Sequence, residues 1–228
     1  MKDFEQWQRD MDIIYDNNFR AKADVVSQEG VDKRLVGITG GYYLVFKHSP
    51  EISGRLADMS SRIHNVLPPS TSISYPERIV HATLSDYEIV PVNDFSRDET
   101  ILEKLERGVL EIQHKIKSPR IRLGEFLYNQ TAVVVEGHSN EAFFDATGRV
   151  LESCKEQGIK LRDPWGAHTT ILRFTDKVSS DKLQKFLALM NETDPINMES
   201  ELKYLDIGTF VFGPGGLIHE LYRRFNLI

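Results

Sequence analysis

The sequence predicts an α+β fold of two pseudo-symmetric lobes of antiparallel-rich sheet, with helices outside and a central cleft. Two observations predict it. The order strand, helix, strand occurs twice along the chain, and the second strand of each set carries the same short pattern. The copies are Val80-His81-Ala82-Thr83-Leu84 and Ala167-His168-Thr169-Thr170-Ile171, with their histidines 87 positions apart. A pseudo-two-fold relation between two such units brings the motif strands together. It favours this architecture over a doubly wound parallel sheet.

The elements run in order. Residues 3–28 place Phe4, Trp7, Met11, Ile14, Tyr15 and Phe19 at spacings of three and four, the periodicity of one or two helices. Leu35–Phe46 reads as a strand with a bend at Gly40-Gly41. Residues 50–66 read as a helix entered through Ser49-Pro50 and closed before Pro68-Pro69. Ile79–Val90 alternates like a strand. Asp98–Lys117 is amphipathic through Ile101, Leu102, Leu105, Val109, Leu110 and Ile112. The pattern then restarts with strands at Ile121–Leu127 and Thr131–Val135, a helix over Glu141–Gln157 ended by Gly158, and a strand over Trp165–Phe174. A helix (Ser180–Met190), a strand (Leu202–Phe212), a turn at Gly213–Gly216 and a last segment, Leu217–Leu227, complete the chain. The expected organisation is an N-terminal helical extension over 1–34 and a single bilobal domain over 35–228. Lobe one covers about 35–95, lobe two about 120–212, and the C-terminal segment packs back.

Composition narrows the function classes. A chain of 228 residues, 40% hydrophobic and 27% charged, has the profile of a globular protein with a sizeable core. No apolar run approaches the roughly 20 residues of a membrane span, and the polar start does not resemble a signal peptide. The single cysteine, Cys154, excludes an internal disulfide framework. A cytoplasmic protein is expected, with a monomer favoured. The net charge of −6 argues against a long nucleic-acid duplex as partner and for a small anionic ligand in a local pocket. Lys115, Lys117, Arg120 and Arg122, with Arg223 and Arg224, read as a solvated face.

Residues two apart on a strand share a face. Each motif therefore presents an imidazole beside a hydroxyl: His81 with Thr83, followed by Ser85 and Tyr87, and His168 with Thr170. One His-x-Thr is ordinary strand alternation. Two copies of equal parity in matching units are not. Histidine exchanges protons near neutral pH, so two of them can act as base and acid on opposite sides of an in-line displacement at phosphorus. Thr83 and Thr170 would donate to the non-bridging oxygens.

His81-Ala82-Thr83 and His168-Thr169-Thr170 resemble the paired motifs of the 2H phosphoesterase (LigT-like) superfamily, over roughly residues 36–212. The resemblance implies the bilobal 2H fold with the motif strands lining the cleft. It also implies metal-independent phosphodiesterase action on cyclic phosphates, cyclic nucleotides, 2′-5′ linkages or RNA ends, with His81 and His168 catalytic and no cofactor. The partner is then a cyclic nucleotide or short RNA substrate, and no membrane. Two alternatives stand beside it: a non-catalytic nucleotide or RNA-end sensor, and an RNA 2′-5′ joining activity.

The remaining candidates are weaker. Trp165 and Tyr87 lie on or near the motif strands, where either can stack on a base or pack in the core. Arg173 has parity opposite to His168 and points away from the cleft. His48, His64, His114, His138 and His219 read as isolated surface residues, and Cys154 as a small buried hydrophobe. No HExxH or CxxC spacing suggests zinc.

Overall fold

The computed structural model of the chain describes residues 3–20, 39–164, 166–176, 178–213 and 216–228. The first helix, α1 (Phe4–Tyr15), is capped by Asp3, whose carboxylate accepts the Gln6 amide at 2.7 Å. It buries Met11 and Tyr15 and continues as a π-helical turn over Asp16–Arg20. Helical structure thus covers every apolar position of the expected stretch through Phe19, and residues 21–34 of the expected extension lie outside the described residues. Strand β1 (Thr39–Lys47) leads to α2 (Pro50–Val66), whose Ser49 cap and first-turn proline are those the sequence announces. Strands β2 (Ser72–Ser74) and β3 (Ala82–Pro91) come next, then α3 (Glu99–Leu110). The second unit holds β4 (Arg120–Tyr128), β5 (Ala132–Ser139), α4 (Glu141–Glu156) and β6 (Thr169–Phe174). After α4 the chain turns through Gly158 at φ +80°. Helix α5 (Ser180–Asn191) and strands β7 (Met198–Glu201), β8 (Tyr204–Gly213) and β9 (Gly216–Asn226) complete the fold. Strands β2 and β7 have only three and four residues, too few for an alternating pattern to register.

The strands form one curled antiparallel sheet in the order β7-β4-β5-β6-β3-β1-β8-β9, with β2 added to β6. Its centre is symmetric. The pair β3/β6 is flanked by β1 and β5, and these by β8 and β4. The duplicated unit is thus β1-α2-β3 and β5-α4-β6, as the repeat predicts. The two halves are not consecutive in sequence, however. Leu202–Phe212, expected in lobe two, forms β8 and bonds to β1 from Gly40↔Val211 to Lys47↔Tyr204. Strand β4, which comes after the first unit, pairs with β5 of the second. Each unit contributes its next long strand to the other half.

One face of the sheet carries Leu44, Phe46, Ala82, Leu84 and Thr169, all buried, and packs on the helices; the rings of Phe46 and Phe143 of α4 lie 5.3 Å apart. The other face carries Tyr43, Val45 and Lys47 and is the face on which the motif side chains fall. No helix among the described residues is long and apolar enough to cross a membrane.

Candidate active site

Both histidines stand one residue ahead of their strands. A single antiparallel bridge, Ala82↔Thr169, joins β3 to β6. Residues opposite one another across an antiparallel pair share a face. Extending this register sets His81 against Thr170 and Thr83 against His168, all four on the face away from the helices. Ala82 and Thr169 point the other way and are fully buried. His168 and Thr170 are 8% and 9% exposed, and His81 and Thr83 are partly exposed.

Immediately after each motif the strand carries one extra residue, and it is the same motif residue in both. The register steps from Val45↔Thr83 to Leu44↔Ser85, leaving Leu84 unpaired, and from Val134↔Thr170 to Val133↔Leu172, leaving Ile171 unpaired. A bulge of one residue inverts the parity of the rest of its strand. Simple alternation therefore fails beyond Thr83 and Thr170. Ser85 falls on the helix side with Leu44, is buried, and donates to the Arg162 carbonyl at 2.6 Å. Tyr87 shares a face with Tyr42, its ring 6.2 Å away. In exchange, Asp86 pairs with Tyr43 and Arg173 with Ala132, which places both on the motif face. Arg173 does not point away. It hydrogen-bonds the buried Tyr75 phenol, and its charge acts on His168. Trp165 lies outside the described residues.

The imidazoles are held neutral. The His168 pKa is pushed down to about 3, first by burial and then by the Arg173 guanidinium, while the Gly166 carbonyl opposes the shift. His81 is held well below the usual histidine value by burial, then by His219 and Lys47. Its Nδ1 lies 2.5 Å from the Ile79 carbonyl oxygen. A carbonyl only accepts, so Nδ1 carries the proton and Nε2 of the neutral ring carries the lone pair. Lys47 stiffens the same backbone, its ammonium donating to the carbonyls of Val80 at 2.6 Å and Arg78 at 2.9 Å. Burial brings the lysine pKa down to about 8.

Two histidines expected on the surface are not there. His219 of β9 stacks on Tyr43, ring centroids 4.4 Å apart, and lies 5.2 Å from the His81 ring. It lines a 240 Å³ pocket with Tyr43, Lys47, Arg78, Asp206 and Arg224. His219 carries no sequence signal, because it reaches the site only through the β8–β9 pairing that sets it opposite Phe210. His48 is buried behind the motifs, its ring nitrogens 2.8 Å from the Thr169 hydroxyl and 2.7 Å from that of Ser200.

Burial pushes the His48 pKa down to about 3. A histidine whose folded pKa is depressed leaves the unfolded chain binding more protons below about pH 6.5. Stability is then complete above that pH and falls as the pH drops toward about 3. For buried His48 and His168 the expected slope is about 1.4 kcal/mol per pH unit each. Urea unfolding between pH 7.5 and 4.5 should show this loss, and His48→Gln should flatten it by about one proton; an unchanged slope in that variant would contradict a buried neutral His48.

The basic cluster disperses in three dimensions. Arg224 makes a bidentate pair with Asp206 at 2.7 Å, Arg223 meets Glu106, and Arg120 meets Glu199. Cys154 is buried, its thiol pushed up to about 12 by burial and then Glu111, which leaves it unreactive. Among the described residues no three His, Cys, Asp or Glu side chains group to hold a metal ion.

The N-terminal helix braces the second motif. The Ala167 amide meets Met11 Sδ at 3.3 Å, and Tyr15 Oη accepts from the Gly137 amide at 3.0 Å and donates to the Gly137 carbonyl at 3.2 Å. Trp7 stacks on Phe143 at 5.9 Å.

No protein-family model matches the sequence, and no curated protein matches it either. Solved structures do match. TT0787 of Thermus thermophilus superposes with a TM-score of 0.57 at 14% identity, covering 82% of this chain and 97% of that one. A structure described as a phosphoesterase gives 0.54 at 14% identity over 82% and 97%. LigT of E. coli in its apo form gives 0.52 at 16% identity over 83% and 98%. The chain has the 2H phosphoesterase fold. With identities this low the likeness extends to the fold alone, and the chemistry has to be argued from this chain's own residues. In the 2H fold described here, α1 lies beside the duplicated core and contacts it at Gly137 and Ala167.

Proposed function

We propose that the chain is a metal-independent phosphodiesterase that acts on a cyclic phosphate of a small nucleotide or on an RNA end. The observation that carries the reading is the Ala82↔Thr169 bridge, whose register gives both His-x-Thr pairs one face of one sheet. The solved structures of E. coli LigT with 3′-AMP and with ATP support a small nucleotide as ligand.

In this reading the phosphate sits against the four motif side chains. His81 Nε2 takes the proton of an attacking water as its oxygen bonds to phosphorus. His168 gives a proton to the oxygen that leaves as the opposite P–O bond breaks. Thr83 and Thr170 donate to the non-bridging oxygens, where negative charge grows, and Arg173 offsets that charge from the same face. The phosphate anion itself raises the proton affinity of His168 against burial and Arg173, which suits it to the acid role. His81, with Lys47 and His219 beside it, is the better base.

Turnover of 2′,3′-cyclic nucleotides and of linear 2′-5′ and 3′-5′ substrates in excess EDTA, with products identified, tests the reading. A monophosphate product in EDTA is expected; binding without product would favour a sensor, and activity restored only by metal would refute the mechanism. Thr83→Val and Thr170→Val keep shape and remove the hydroxyl. Each is expected to lower kcat by about 10²–10³-fold, measured under saturating substrate.

A further inference from the structure

We infer that His219 is a positioning residue for His81, fixing the plane of its ring and holding it as the base of the pair; the inference rests on the phosphodiesterase reading. The geometry is specific. The His219 ring lies 4.4 Å from Tyr43 at an interplanar angle of 21°, and 5.2 Å from His81 at 35°, so it is in reach of both rings at once. Tyr43 is in turn seated on Gly208 of β8, where an added Cβ would come within 2.6 Å of the phenolic oxygen. The backbone on which His81 hangs is held independently by Lys47 through the Arg78 and Val80 carbonyls. One edge of the His81 ring is tied to Ile79. Without His219, the His81 ring would lose this aromatic contact.

The arrangement also has an electrostatic consequence. Two imidazoles at this separation cannot both take a proton easily, and their titrations are coupled. The charged and titratable groups around the pair come from every neighbouring element. Lys47 and Tyr43 belong to β1 and His48 follows it directly, Arg78 belongs to the turn before β3, Asp206 to β8, and Arg224 to β9; across from them, His168 directly precedes β6 and Arg173 lies on it. Most of the nearby charge is cationic, and the one carboxylate in the pocket, Asp206, is already engaged by Arg224. His219 thus adds to burial and Lys47 in keeping His81 unprotonated until substrate arrives, and it does so without touching the reacting atoms.

His219→Phe retains the stack and removes the second titrating group. His219→Ala removes both. The test follows the His81 imidazole by NMR titration, with its signal assigned by loss in His81→Gln, together with the pH profile of kcat/KM. The His81 midpoint is expected to rise in the order wild type, His219→Phe, His219→Ala, and the acid limb of the profile to move in the same order. At the plateau His219→Phe should stay within about threefold of wild type, while His219→Ala should fall about tenfold or more as the ring loses its support. Unchanged midpoints in both variants would overturn the inference. So would a plateau in His219→Phe as low as that of His81→Ala, because His219 would then be moving protons itself. An inert wild type would count against the phosphodiesterase reading alone, since the imidazole titration needs no turnover and still decides the pairing.

Discussion

Alanine at His81 or at His168 is expected to lower turnover by about 10²–10⁴-fold while the protein stays folded. His81 is partly exposed, and among the described residues its one hydrogen bond is to Ile79. Removing it costs a local contact and leaves the bridge between β3 and β6 intact, because that bridge is made by Ala82 and Thr169 on the opposite face. His168 is more deeply set at 8% exposure, so His168→Gln, which preserves volume, is the companion variant. The two losses should not add. Once either the base or the acid is gone, the in-line displacement has lost its concerted proton transfers, and the double variant should be little worse than the poorer single one. Steady-state rates beside unfolding curves check this. Near-wild-type rates in either single variant would show that the motifs are strand alternation and nothing more.

Gly137→Ala is expected to act through geometry. A Cβ on Gly137 would overlap the Ala167 carbonyl and come within 3.0 Å of Ile121. The obstacle is backbone, one residue before His168, so it has no side-chain rotation by which to yield. Overpacking of this kind costs about 1–3 kcal/mol. The larger effect is on function. The segment can relieve the overlap only by moving His168, and a displacement of about 1 Å costs about 10²-fold in rate. Gly54→Ala is the control, since nothing lies within 4 Å of its added Cβ. A folded Gly137→Ala variant with full activity would mean that the place of His168 does not matter to turnover.

Much of the fold could be read from residue order. The repeat of strand, helix and motif strand was visible because its helices carry clear boundaries: Ser49 with Pro50 at the start of α2 and Gly158 after α4. The exchange of β4 and β8 between halves was not visible. Strand pairing depends on which edges meet in space, and both segments read equally well as members of their own half. The site was legible as far as each threonine. Beyond it the bulges at Leu84 and Ile171 inverted the faces, removing Ser85 and Tyr87 from the histidine side and adding Asp86 and Arg173. Nothing in an aliphatic residue announces a bulge, although its recurrence at one motif position in both strands is itself a mark of the duplication. His219 and His48 were hidden for a different reason. Each reaches the motifs through side-chain contacts across distant strands, and sequence spacing carries no trace of them.

The most direct measurement is a crystal structure of the protein with a nucleoside vanadate, a mimic of the five-coordinate phosphorus. Vanadium is expected on the motif face, with one apical oxygen within about 2.6–3.2 Å of His81 Nε2 and the other at similar distance from a His168 ring nitrogen. Thr83 and Thr170 should donate to the equatorial oxygens. Vanadate seated instead between Lys115, Lys117 and Arg149, or held in the cleft by only one of the two histidines, would rule out the two-histidine mechanism.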